Sequence, residues 1–187
     1  MSTTTLINAI TSLPAPSITL ALGGLTTAYV FFSNIAETQR GVIPFLNGRL
    51  ISPVTLDDKD RAKLWNVYFD SAAKWIVGSS IVSSLLNLTT SYLYRKSSPL
   101  ISKITLGSGI TSLLILPATV ILGLLPINQR LMELSENDND NIKSLEKEEE
   151  EVKKLIKLWE EKHLNRLPIY AIAWSLNMLA ILLDGRV

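Results

Sequence analysis

The chain has 187 residues, 47% hydrophobic and 19% charged, with 18 Lys+Arg against 17 Asp+Glu. It lacks cysteine and has a single histidine, His163. Disulfide frameworks, thiolate metal sites, iron–sulfur clusters, cysteine nucleophiles and multi-histidine metal centres are therefore excluded. A net charge of +1 supplies no basic field for nucleic acid, so electrostatic function rests on local clusters.

Four runs contain no Asp, Glu, Lys or Arg: Ser17 to Ile35, Trp75 to Tyr94, Ile104 to Ile127 and Leu167 to Leu183. Each has the length a helix needs to cross ~30 Å of hydrocarbon at ~1.5 Å per residue. The expectation is an all-α, integral membrane four-helix bundle, a single membrane domain over residues 1–187, with a cytoplasmic helical extension before the fourth span. Helix is the state in which a lipid-embedded backbone satisfies its own hydrogen bonds. The stretch before span one has no basic residue, which argues for an uncleaved anchor rather than a signal peptide or a mitochondrial presequence.

Span one lines up Gly23, Thr27, Asn34 and Glu37 on one helical face. Small and hydroxylated residues recur in the other spans, with Asn87 in span two and Asn177 in span four placed to meet at mid-membrane. Such residues are what close helix packing in lipid uses, and that role is favoured over a substrate path. The sequon at Asn87 lies inside a span and is not expected to carry a glycan. No span has an interior charge, which argues against a proton pump, a voltage sensor or a charged-ion pathway.

Between spans one and two, Gly41, Pro44, Gly48 and Pro53 read as turns, followed by a helix start at Thr55 or Asp57. From Asp60 on, apolar residues at helical spacing carry that helix into span two. Six Lys+Arg in this loop and eight in the third, against three in loop two and one in the tail, put loops one and three in the cytoplasm and the termini on the lumenal side, in an endomembrane such as the endoplasmic reticulum or one derived from it. The third loop opens on a polar tract from Ser135 to Asn141, read with the acidic residues to Glu151 as a mobile acidic loop. The Glu146 to Glu151 run reads as the solvated start of a helix. Downstream, Val152, Leu155, Ile156, Trp159 and His163 form an apolar stripe, with Lys153, Lys154, Lys157, Glu160, Glu161 and Lys162 opposite. Pro168 marks a kink where this helix becomes span four.

Loops one and three share a side, so Glu37, Arg40, Trp65, Tyr68, Asn128, Arg130, Trp159, His163 and Arg166 gather at one mouth of the bundle. Taken singly, the aromatics read as headgroup anchors and the arginines as snorkelling cations. The segment from Leu116-Pro117-Ala118-Thr119 through Leu125-Pro126-Ile127-Asn128-Gln129-Arg130-Leu131, then Trp159-x-x-x-His163-x-x-Arg166 and a final apolar span, resembles the anthrone oxygenase family of small four-span membrane proteins. The resemblance implies oxidation of an anthrone to an anthraquinone with molecular oxygen, without a metal or flavin cofactor. On that reading His163 is a general base and Arg166 or Arg130 stabilises the developing oxyanion, the three forming the catalytic set. Trp159, Asn128, Trp65 and Tyr68 bind the substrate. The partners implied are the lipid bilayer, a lipophilic aromatic molecule and O2, with no nucleic acid, no metal and no specified oligomer. The alternative is a non-catalytic scaffold or a lipid- or small-molecule-binding bundle, with transport of a small neutral molecule a third option.

Overall fold

The computed structural model describes residues 12–50, 56–136 and 142–186, the side chains of 142–149 excepted. Among the described residues the chain is all helix: α1 (Ala15–Arg40), α2 (Val42–Leu46), α3 (Asp58–Tyr94), α4 (Pro99–Leu113), α5 (Ile115–Ile121), α6 (Leu124–Glu136), α7 (Ile142–Leu164) and α8 (Leu167–Asp184). Four stretches are long and apolar enough to span a membrane.

The helix ends follow from local chemistry. Asp57 starts α3 by accepting the Asp60 N–H at 2.7 Å, the short side-chain acceptor that a helix start needs. Thr55, the other candidate start, and the Pro53 turn lie outside the described residues. From there α3 runs unbroken through span two, as its periodicity predicts. Pro44 does not mark a turn. It lies in the first turn of α2, where a missing N–H costs nothing.

Span three differs from expectation at both ends. Its helix begins at Pro99, and it is interrupted at Leu114, whose N–H is shared between Ile110 and Thr111 carbonyls at 3.2 and 3.1 Å. Pro117 cannot donate to the Leu113 carbonyl and its ring crowds that group, so the helix restarts as α5. The apolar path then ends at Ile121, because Gly123 adopts φ +66° and turns the chain. The Pro126 to Leu131 segment, read as the edge of the span and the loop beyond it, belongs instead to the amphipathic helix α6.

Ser135 and Glu136 complete α6, and Ser135 is buried, donating to the Met132 carbonyl at 2.7 Å and accepting from Asn66 at 3.1 Å. Of the tract expected to be mobile, 137–141 lies outside the described residues, and from Ile142 the chain is helical. Near Pro168 the helix is broken rather than kinked. The Arg166 N–H turns back to the His163 carbonyl at 2.9 Å, and α8 starts afresh with Pro168 in its first turn.

The described chain divides into two compact units. Unit 1 comprises Met1–Val30, Ser79–Leu114 and Ile169–Val187. Its interior is largely small and polar: Thr27, Ser83, Ser84, Asn87, Thr90, Thr105, Ser108 and Asn177 are buried beside one small apolar cluster of Leu20, Tyr94, Ile101 and Ala180, while Leu25, Leu85, Ile110 and Leu179 face outward. That inversion suits a unit solvated by lipid, where helices associate through close contact and interhelical hydrogen bonds. Asn177 Nδ2 donates to Asn87 Oδ1, and Ser108 donates to the Ala173 carbonyl at 2.8 Å. Gly23 leaves room for the amide pair, since a Cβ there would lie 3.1–3.2 Å from its atoms.

Unit 2 comprises Phe31–Gly78 and Ile115–Pro168 and is built the other way round. Its core is Ile43, Leu46, Trp65, Leu124, Leu131, Ile156 and Trp159, supplied by α2, α3, α6 and α7. This is the apolar-in arrangement of a water-soluble helical domain.

Candidate functional site

The aromatic end of unit 2 is assembled by α3, α5, α6 and α7. Trp65, Phe69 and Tyr68 lie within one turn of α3, and Trp159 and His163 are one turn apart on α7, so each helix presents a short stack. Trp65 stacks on Phe69 at 4.9 Å and 7°, and meets Trp159 edge-on at 6.0 Å and 82°. Tyr68 approaches the same indole at 6.3 Å and 84°. Trp159 in turn lies flat on the His163 imidazole, 4.8 Å away and 11° from parallel. Its Nε1 donates to Asn128 Oδ1 at 2.8 Å, which fixes the ring and satisfies a buried donor.

His163 is 4% exposed. It precedes the uncharged stretch of α8 and stands outside the span. Arg166, one turn later, donates to His163 Nδ1 and, through its other terminal nitrogen, to Thr119 Oγ1 at 3.2 Å. Burial first, and the adjacent guanidinium second, hold the imidazole well below its usual pKa. The ring is therefore neutral, and because Nδ1 accepts from Arg166 its proton must sit on Nε2. Among the described residues Nε2 meets no hydrogen-bond partner, and neither does the indole N–H of Trp65.

A family model described as anthrone oxygenase matches residues 65–176, more than half of the chain. This chain belongs to the anthrone oxygenase family. The match runs from Trp65, at the head of the aromatic stack, through most of α8. No curated protein and no solved structure matches the chain.

In this family member, six of the seven residues that the sequence nominated converge: His163, Arg166, Trp159, Asn128, Trp65 and Tyr68. Arg130 goes elsewhere. It is paired with Glu151 at 2.8 and 2.9 Å and with Glu133 at 3.1 Å on the exposed side of α6, and those carboxylates raise its pKa further. Its neighbour Asn128 faces inward because two residues on a helix differ by about 200°. Glu37 is also occupied, accepting the Ile43 N–H at 3.3 Å at the start of α2. Its carboxylate fills the space beside Gly41, where any Cβ would collide with it at 2.1 Å.

The arrangement changes one expected role. A general base at His163 needs a free lone pair, but Nδ1 is engaged by Arg166 and Nε2 carries the proton. What the site presents is a buried N–H donor beside a guanidinium. Sequence reasoning did not nominate Phe69 or Thr119 for the site. Phe69 belongs to the apolar series at helical spacing that carries Trp65, which places it on the same face. Thr119 lies 47 residues from Arg166, and no local pattern announces that contact.

Proposed function

We propose that this chain oxidises a lipophilic, anthrone-like phenol with O2. The observation that carries the reading is His163: a neutral, buried imidazole, locked by Arg166 and stacked on Trp159, with an unsatisfied Nε2–H. Leaving such a donor unpaired costs ~1–3 kcal/mol, which an incoming oxygen acceptor would recover.

An anthrone carries a ring methylene opposite its carbonyl. Loss of a methylene proton to water leaves an enolate whose charge sits on the carbonyl oxygen, where the Nε2–H and the nearby guanidinium stabilise it. The enolate carbon adds O2, the hydroperoxide anion takes up a proton, and loss of water leaves the second carbonyl. In sum, CH2 and O2 give C=O and H2O. A neutral histidine that acts as an electrophile rather than a base is an established use of a depressed imidazole pKa. Trp65 and Trp159 are packed inside the aromatic stack, and the partly buried Tyr68 and Phe69 at its edge offer flat apolar surface for such a ring system.

The test is oxygen uptake by the full-length protein in detergent with an anthrone in air. His163→Leu is expected to reduce uptake at least ~100-fold, the loss typical of one oxyanion donor. Wild-type uptake no faster than that of the variant would sink the reading. It would favour instead a non-catalytic bundle, which is supported by the fact that the Arg166–His163 and Trp159–Asn128 contacts also form a closed structural lock.

A further inference from the structure

Unit 2 also has a cleft of about 530 Å³ walled by Arg49, Arg61, Lys153, Lys157 and Glu160, with Leu46 among its lining residues. Glu160, assigned by periodicity to the solvated face of α7, is instead buried. It accepts from Asn47 at 2.6 Å and pairs with Arg49. Asp58 takes both Arg61, at 3.1 Å, and Lys153, at 3.0 Å. Lys157 forms no ion pair among the described residues.

Two features give the cleft a sign. Among the described residues four cations are set against two carboxylates, an excess of positive charge. The carboxylates also lie beneath the cations: the Asp58 and Glu160 side chains are 5% and 11% exposed, against 59% for Lys153 and 52% for Arg49. A ligand entering from water meets ammonium and guanidinium groups first. Arginine forks and lysine point charges are the side chains that recognise phosphate, and the volume is that of a small-molecule site.

The cleft spans a range of depths. Arg61 precedes Trp75, where the uncharged run of α3 begins, by fourteen residues of continuous helix, or ~21 Å, whereas Arg49 donates to the Thr38 carbonyl, three residues past the uncharged run of α1 and so within the ~5–8 Å headgroup layer. We infer that the cleft binds a phosphate-bearing group carrying at least two negative charges, on a soluble molecule or on a lipid headgroup. The inference does not depend on the oxygenase reading.

The probe is inorganic pyrophosphate, titrated calorimetrically into the full-length protein in an uncharged detergent. One site is expected, weakened by added salt and weakened at least tenfold by Lys157→Glu. Lys154→Glu, on an exposed residue of the same helix outside the cleft, should leave it unchanged. Lys157→Gln serves if the charge reversal prevents folding. A parallel titration uses nanodiscs of phosphatidylcholine with and without phosphatidic acid. Absence of pyrophosphate binding up to ~10 mM, weaker than any specific site of interest, excludes a soluble ligand. A Lys157-dependent effect confined to phosphatidic acid would instead identify the source as a lipid headgroup, and the absence of any Lys157-dependent effect in both titrations overturns the inference.

Discussion

Protonating His163 would place a second positive charge beside the Arg166 guanidinium at a buried position, so the folded protein keeps the imidazole neutral. An unfolded chain has no such constraint and takes up a proton near pH 6.5. Below that pH the unfolded state binds more protons, and stability, fully present above it, falls as pH drops toward the depressed folded value. The slope from one such group is at most ~1.4 kcal/mol per pH unit. Denaturation of wild type and His163→Gln between about pH 7 and 4, within the window that runs from 6.5 down to about 3, should show the steeper loss in wild type. Equal slopes would mean that the imidazole is not held neutral. The Asn87–Asn177 pair makes a second prediction at this scale. Replacing either by Leu leaves the other amide buried without its partner, and the two changes should be non-additive, with a coupling of ~0.6–1.7 kcal/mol typical of polar pairs in membrane bundles. Thermal denaturation of both single variants and the double variant measures it, and simple additivity would contradict the contact. The meeting of these two asparagines was legible in the sequence because both sit near the middle of uncharged runs. The tautomer of His163 was not, because it depends on a partner's orientation rather than on spacing.

At the scale of elements, the connection from α5 to α6 is the part that the residue pattern misplaced. An uncharged run shows that a segment tolerates lipid, and the run here extends to Ile127. The helix nonetheless ends at Ile121, because Gly123 takes a left-handed conformation and Pro126 cannot donate to the Leu122 carbonyl. That carbonyl is taken by Lys162 Nζ at 2.6 Å, so α7 caps the end of α5. Gly123→Ala should destabilise the protein by ~1–2 kcal/mol, the cost of a left-handed conformation for a residue with a Cβ. The added methyl would also lie 3.6 Å from Lys162 Nζ, ordinary contact, so the penalty is one of backbone and not of crowding. A melting temperature within error of wild type would count against the turn. The burial of Glu160 was similarly invisible: the α7 stripe is correct for Val152, Ile156, Trp159 and His163, but Asn47 and Arg49, more than a hundred residues earlier, pull one carboxylate in.

For the whole molecule, two burial patterns coexist in one chain: a largely polar interior with an apolar exterior in unit 1, an apolar interior in unit 2. The number of spans and the all-helical class were readable from charge-free runs, since lipid imposes length and backbone satisfaction together. Orientation rests on the Lys+Arg bias, which proposes that the connections rich in those residues face the cytoplasm. Because the chain has no cysteine, single substitutions report sidedness directly. In sealed vesicles of cytoplasm-out orientation, Glu133→Cys should react with an impermeant maleimide and Ser97→Cys should not. The reverse pattern would invert the topology.

The amide pair in unit 1 also sets an order of events during synthesis. Asn87 and Asn177 are 90 residues apart. At ~5–20 residues per second, Asn87 waits on the order of 5–20 s for its partner to be made. Through that interval span two carries an unmatched amide in the bilayer, a group that seeks any available acceptor. The last span to be translated therefore closes the interior of the bundle. A chain truncated before Asn177 should stay bound to insertion or quality-control machinery, even though three of its four spans are complete.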